Sequence, residues 1–207
     1  MFTVGFDLDM TLVDTSERIL RAGLRAFEEF GASVDRAQVV PFLGVPMADV
    51  AEALVPGIDT EAYMRAYRLH YDHDDATAVP VMPGARELLD HIHVTGGTAV
   101  VVSAKQHAAA ERALVDAGLA DRVDTVWGDL FAARKGEALQ DIDDLVAYVG
   151  DHVEDAKAAA AGGCPFIGVT TGVFVEAELR AAGAVLAVRD LREIIDWLDA
   201  APRPAVL

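Results

Sequence analysis

The chain has 207 residues, enough for one well-packed core and a small second unit. Its composition, 53% hydrophobic and 25% charged, is that of a soluble globular protein. A net charge of −17, from 17 basic and 34 acidic residues, argues against nucleic acid or an anionic membrane as a partner.

In chain order, residues 2–7 are apolar and predict a buried strand that ends in acid. Because it begins at residue 2, no signal peptide is expected, and no apolar run nears the roughly 20 residues of a bilayer span. A cytoplasmic location is the expectation. Residues 15–81 then carry almost no strand signal. Helices are predicted over Ser16–Phe30, with Thr15 or Ser16 as N-cap, and over Met47–Leu54 and Thr60–Asp74. Val79–Gly84, with Pro80 and Pro83, reads as a stiff return linker.

From there helix and strand alternate. Helices are predicted at 83–95, 106–118, 134–141, 153–162, 175–183 and 190–200, and strands at 98–103, 123–127, 145–150, 165–170 and 184–188. Alternation implies parallel strands joined by crossover helices. The fold class is therefore α/β: a Rossmann-like, doubly wound parallel sheet core, residues 1–14 and 82–207, with an inserted all-helical unit at 15–81. The tail from Ala200, with Pro202 and Pro204, is expected to be loosely held. Cys164, the single cysteine, reads as an inert packed thiol.

The chemistry concentrates at strand ends, where such sheets bind ligands. Asp7 and Asp9 are two residues apart, so in an extended chain they point the same way. Two like charges that close need a cation or a shared proton. Ser103 closes the second strand, and Asp151 closes the 145–150 strand with Asp155 one helical turn on. Lys135 opens a predicted helix. Gly-x-Gly-x-x-Gly and Walker-type loops are absent, and His70, His73, His91, His93 and His107 lack metal-binding spacing.

These four motifs, Asp7-Leu8-Asp9, Ser103, Lys135 and Asp151 with Asp155, resemble in order and chemistry the haloacid dehalogenase-like superfamily. The resemblance spans nearly the whole chain. It implies that Asp7 is a nucleophile forming an aspartyl-phosphate and Asp9 a general acid/base whose backbone carbonyl also binds metal. It implies a phosphate-binding group made of Ser103, the backbone N–H groups around Ala104 and Lys105, and the Lys135 side chain, and a Mg2+ held by Asp7, Asp9 and Asp151. Thr11 would orient the Asp7 loop through hydroxyl-to-backbone bonds, and Asp155 would support the site by holding Lys135 or a metal water. Lys105 is left as either a phosphate contact or a surface charge, and His152 as a bystander.

An insert after the first strand resembles the helical cap domains of the phosphoglycolate phosphatase branch, as does the loop Phe42-Leu43-Gly44-Val45-Pro46-Met47. Arg18, Arg21, Arg65 and Arg68 are possible cap contacts, though solvated helix charges are the commoner case. The implied function is a Mg2+-dependent phosphatase of a small phosphorylated metabolite, with phosphoglycolate the first candidate. Alternatives are a β-phosphoglucomutase-like phosphotransferase and a non-catalytic binding protein on the same fold. The mutases carry an acid just before the Asp151 position, where this chain has Gly150. Met10, Ala104 and Gly136 depart from residues often found at those places (Gly, Asn and Pro). The oligomeric state is left open.

Overall fold

In the computed structural model, which describes residues 1–74, 77–131 and 133–200, the opening run forms strand β1 (Phe2–Phe6), buried along its length. The other strands are β2 (Gly97–Val102), β3 (Thr125–Trp127), β4 (Leu145–Gly150), β5 (Phe166–Val169) and β6 (Ala184–Val188). The helices are α1 (Ser16–Glu29), α2 (Arg36–Val39), α3 (Met47–Leu54), α4 (Thr60–Asp72), α5 (Ala85–Val94), α6 (His107–Ala117), α7 (Ala133–Gln140), α8 (Val153–Gly162), α9 (Glu176–Ala181) and α10 (Glu193–Ala200). No helix among the described residues is long and apolar enough to cross a membrane. The proline-bearing tail, 201–207, lies outside the described residues.

The six strands are parallel, in the order β3-β2-β1-β4-β5-β6. The chain steps outward from β1 to β3, then returns to place β4 on the other side of β1. That reversal puts the switch point of the sheet between β1 and β4, whose carboxyl ends open the crevice where such sheets bind ligands. The fold is the expected doubly wound one. Both faces must be covered, and the sequence supplies this through Val and Ala at positions pointing either way, as in Ala99–Val102.

Close packing under the switch point rests on small residues. Tyr148 of β4 is fully buried, and its hydroxyl donates to Val102 O at 2.8 Å. Its ring passes so near Gly5 that a Cβ there would lie 2.9 Å from it. On one side α7 meets α8, where a Cβ on Gly136 would stand 2.7 Å from that of Ala161. The alanine-rich run of α8 is thus a close-contact surface, and Gly136 stands where a larger residue would push α7 away.

Among the boundaries that differ from those expected, two have clear local causes. β3 begins at Thr125, because the Asp124 side chain takes the Ala99 N–H at 2.8 Å in place of a ladder carbonyl. α10 begins at Glu193, because Asp190 folds onto the Arg192 N–H at 3.0 Å.

The chain separates into two units, Met1–Asp14 with the residues from Pro80 onward, and Thr15–Val79. Pro80 to Met82 belong with the sheet because they pair with Leu12 to Asp14: Asp14 N–H donates to Pro80 O (2.8 Å) and Met82 N–H to Leu12 O (2.9 Å). Within the helical unit α1 and α4 pack through Phe27 and Tyr63, with ring centroids 4.6 Å apart, and the Tyr63 hydroxyl reaches Gly23 O at 3.2 Å. Sequence periodicity misses α2 and the 3-10 turn Val40–Phe42, which are too short to show it. The one local signal is a capping box, in which Asp35 and Gln38 exchange side-chain bonds of 3.0 and 2.9 Å. Two of the four arginines singled out are not solvated charges: Arg18 is buried and donates to Thr77 O (2.8 Å), and Arg21 pairs with Asp74 (3.3 Å).

Candidate active site

Asp7 follows β1, with its N–H still bonded to Val149 O at 2.8 Å, and Asp151 follows β4. The two acids therefore stand on either side of the switch point. Lys135 enters from α7. Its ammonium lies 2.9 Å from Asp7 Oδ1 and 2.8 Å from Asp155 Oδ1, and 5.6 Å from the centre of the Tyr148 ring. Carboxylate oxygens of Asp7, Asp151 and Asp155 all fall within 4.8 Å of one another, and all three residues are buried.

Asp155 is held from a second side. Its Oδ2 accepts the His152 N–H at 3.1 Å, while His152 Nδ1 accepts the Glu154 N–H at 3.1 Å. His152, expected as a bystander, is thus the N-cap of α8, and the cap bond fixes the carboxylate that grips Lys135. Its ring meets Phe174 edge-on at 4.6 Å.

Two glycines shape the space around these acids. A Cβ on Gly150 would lie 2.5 Å from Asp155 Cγ, and one on Gly172 would lie 2.8 Å from Asp151 Cγ. The backbone therefore approaches both carboxylates at distances only glycine permits.

Burial pushes Asp7 up from 3.8 to about 7; Lys135 pulls it back, and Asp155 and Asp9 add to the rise. Burial likewise holds Asp151 well above the carboxylate range, with Asp155 and Asp7 contributing. For Lys135 burial acts against the charge, yet Asp155 and Asp7 hold its ammonium well above the usual lysine value. Three acids against one cation leave a charge of −2 when all are ionised. Hard oxygen donors, anionic excess and a glycine-walled cradle fit a hard divalent cation. The donor set the side chains form is Asp7, Asp151 and Asp155. The Asp9 carboxylate lies apart from it and pairs with Lys105, 3.1 Å from its Nζ.

The structure corrects two expectations and decides one point left open. Thr11 does not orient the loop through its hydroxyl, which is buried with no hydrogen-bond partner among the described residues. Backbone bonds hold that turn instead, with Met10 N–H to Val13 O (2.8 Å) and Leu12 N–H to Leu8 O (3.0 Å). Lys105 is no surface charge: its side chain is 8% exposed. The Lys105 N–H, expected to face a phosphate, bonds Ser103 Oγ at 3.2 Å. That leaves the Ser103 hydroxyl proton to donate elsewhere, since Oγ already accepts.

Met10 sits at φ 60°, the left-handed conformation that glycine adopts freely. Its N–H bond to Val13 and its carbonyl, which accepts the Thr171 hydroxyl, compensate for the cost. Thr171 and Gly172 close the run Ile167–Gly172, which in sequence resembles the phosphatase branch without assigning either residue a role; they lie just beyond β5 on the same edge of the sheet. Cys164 is a free thiol raised to about 11 by burial, as an inert packed group would be.

Comparison with known proteins agrees with this geometry. A phosphoglycolate phosphatase of Cereibacter sphaeroides is 32% identical over 185 residues, covering 82% of this chain and 85% of that protein. A probable phosphatase, IndB, of Dickeya dadantii is 29% identical, covering 93% of this chain and 91% of its own. In fold, a haloacid dehalogenase-like hydrolase from Streptococcus pneumoniae superposes with a TM-score of 0.84 over 96% of this chain and 98% of that one, at 21% identity. The family model for haloacid dehalogenase-like hydrolases matches residues 4–169, from β1 to the end of β5, and the chain belongs to that family.

Proposed function

We propose that the protein is a Mg2+-dependent phosphatase that hydrolyses small phosphomonoesters through an aspartyl-phosphate on Asp7. The observation that carries the reading is the Asp7–Lys135–Asp155 chain at the switch point, with Asp151 beside it. Lys135 fixes Asp7 through Oδ1 and balances charge on the transferring phosphoryl. Asp7 attacks phosphorus, the ester P–O bond breaks, and Asp9 gives its proton to the departing oxygen. Asp9 then takes a proton from water as that water attacks the phosphorus of the acyl phosphate. Phosphate leaves and Asp7 is restored. The Ser103 hydroxyl donates to a phosphoryl oxygen, with the backbone at Ala104 beside it. Asp7 and Asp151, with the Asp9 carbonyl or Asp155, would hold Mg2+, which when bound supplies positive charge to the phosphoryl oxygens.

The helical unit Thr15–Val79 takes the part of the cap domain. Identity to the phosphoglycolate phosphatases supports phosphoglycolate as the first substrate to try. The phosphotransferase alternative is disfavoured at Gly150, since the acid found there in the mutases would need room that Asp155 occupies. The test is free phosphate released from a panel of phosphorylated metabolites with Mg2+, together with a brief substrate pulse and mass spectrometry. Phosphate release and a mass increase on Asp7 are expected. Transfer of the phosphoryl to a sugar without free phosphate would refute the hydrolase, and full activity in Asp7→Asn would refute the nucleophile.

A further inference from the structure

Lys105 is the polar group that the reaction scheme leaves without a role. Of the other two lysines, Lys135 is buried in the site, while Lys157, paired with Glu154, behaves as a surface charge with 71% of its side chain exposed. Lys105 has 8%, and its ammonium sits 3.1 Å from Asp9 Oδ2. Its root is locked. The Lys105 N–H bonds Ser103 Oγ, and its carbonyl accepts the Asp129 N–H at 2.8 Å. Asp129 is held at φ 60° and its Oδ2 accepts the His107 N–H at 3.1 Å, while Leu130 N–H reaches Ser103 O at 3.1 Å. A Cβ on Gly128 would stand 2.8 Å from Lys105 O. The turn after β2 is thus fastened to the turn after β3, so the buried ammonium hangs from a fixed backbone.

The two ammonium groups recorded against the site's acids divide the work. Lys135 serves Asp7 and Asp155, on the phosphoryl side. Lys105 serves Asp9, the acid assigned to the leaving oxygen. An oxygen hydrogen-bonded to Asp9 lies about 2.7 Å from that carboxylate, so the ammonium is within about 6 Å of it. A carboxylate on the carbon next to the ester oxygen falls inside that range, and a buried cation next to one acid is a ready partner for another anion.

We propose that Lys105 is a specificity residue that recognises an anionic group on the leaving alcohol, so that the preferred substrates are phosphate esters of 2-hydroxycarboxylates. This rests on the assignment of Asp7 and Asp9 above. The test compares 2-phosphoglycolate with ethyl phosphate, which has a methyl group in place of the carboxylate, by phosphate release with Mg2+. Wild type is expected to favour 2-phosphoglycolate by about 100-fold in kcat/KM. Lys105→Met should lower turnover of 2-phosphoglycolate at least about tenfold more than that of ethyl phosphate, which also falls because Asp9 loses its partner, and Lys105→Arg should keep most of the preference. Equal losses on both esters would make Lys105 a support for Asp9 alone and overturn the proposal. So would a wild type with no preference, which needs no variant to measure. Release from neither ester would overturn the phosphatase reading along with it, whereas release from both at equal rates overturns only the role of Lys105.

Discussion

Asp7→Asn should make the metal-free protein more stable while abolishing turnover. The ordinary aspartate value is 3.8, and burial lifts Asp7 to about 7. Between those pH values the folded protein holds a proton that the unfolded chain releases, so stability falls as pH rises through the window. At about 1.4 kcal/mol per pH unit the full gap corresponds to about 4 kcal/mol, a penalty complete above pH 7 and absent below about pH 4. Asparagine resembles the protonated acid in size and still offers Oδ1 to Lys135, so the variant escapes the penalty at every pH. The gain at pH 8.5 in chelator should be about 2 to 4 kcal/mol, an increase on the order of 5–10 °C in Tm for a chain this size.

The assay is urea or thermal denaturation at pH 4.5 and pH 8.5, with EDTA and then with Mg2+. The two proteins should agree at pH 4.5 and diverge at pH 8.5. Mg2+ at about 100 times its dissociation constant should add roughly 2.7 kcal/mol to the wild type and much less to the variant. A variant no more stable than wild type at pH 8.5 in chelator would refute the claim that Asp7 is held charged at a cost.

Lys135→Met should destabilise the fold by about 3 kcal/mol at pH 8, because it strands two buried carboxylates; urea denaturation checks this, and a loss below 1 kcal/mol would count against it. The loss should shrink at pH 5, where Asp7 takes up a proton. Gly172→Ala should lower Mg2+ affinity at least about tenfold by calorimetry, because the new methyl group displaces the Asp151 carboxylate; unchanged affinity would show that the loop yields freely. In the wild type, Mg2+ affinity should rise with pH by up to about tenfold per unit below pH 7, since Asp7 must give up its proton to bind metal, and a flat titration would contradict this.

The acids and the sheet were legible because their signals are local. An apolar run ending in Asp7, and another ending in Asp151, announce strand ends directly. That the strands run parallel follows from the alternation of helix and strand; their order comes from the structure. Lys105 was legible only as a charge. Nothing local to Ser103–Lys105 reveals that Gly128, Asp129 and Leu130 bind that turn and bury the ammonium against Asp9. The capping role of His152 was not legible for a related reason: the sequence pattern for capping favours Ser, Thr, Asp and Asn over His. Thr11 shows the opposite error, a hydroxyl credited with bonds that the turn makes through its backbone.

The site's construction follows from one repulsion. Three buried carboxylates within 4.8 Å of one another, with Lys135 the one cation paired to them among the described residues, oppose folding whenever all are ionised. The surrounding packing tolerates this because Tyr148, Gly5, Gly136 and α8 fit closely beneath it. On the proposed reading the same repulsion would draw a dication to the site, since whatever neutralises the acids relieves the folded state and leaves the unfolded chain unchanged. Metal affinity and apo instability are therefore coupled. Neutralising Asp7 or Asp151, the two acids whose ionisation burial opposes, should stabilise the apo fold and weaken metal binding together, whereas a substitution that merely damages packing lowers stability and leaves the coupling between them intact.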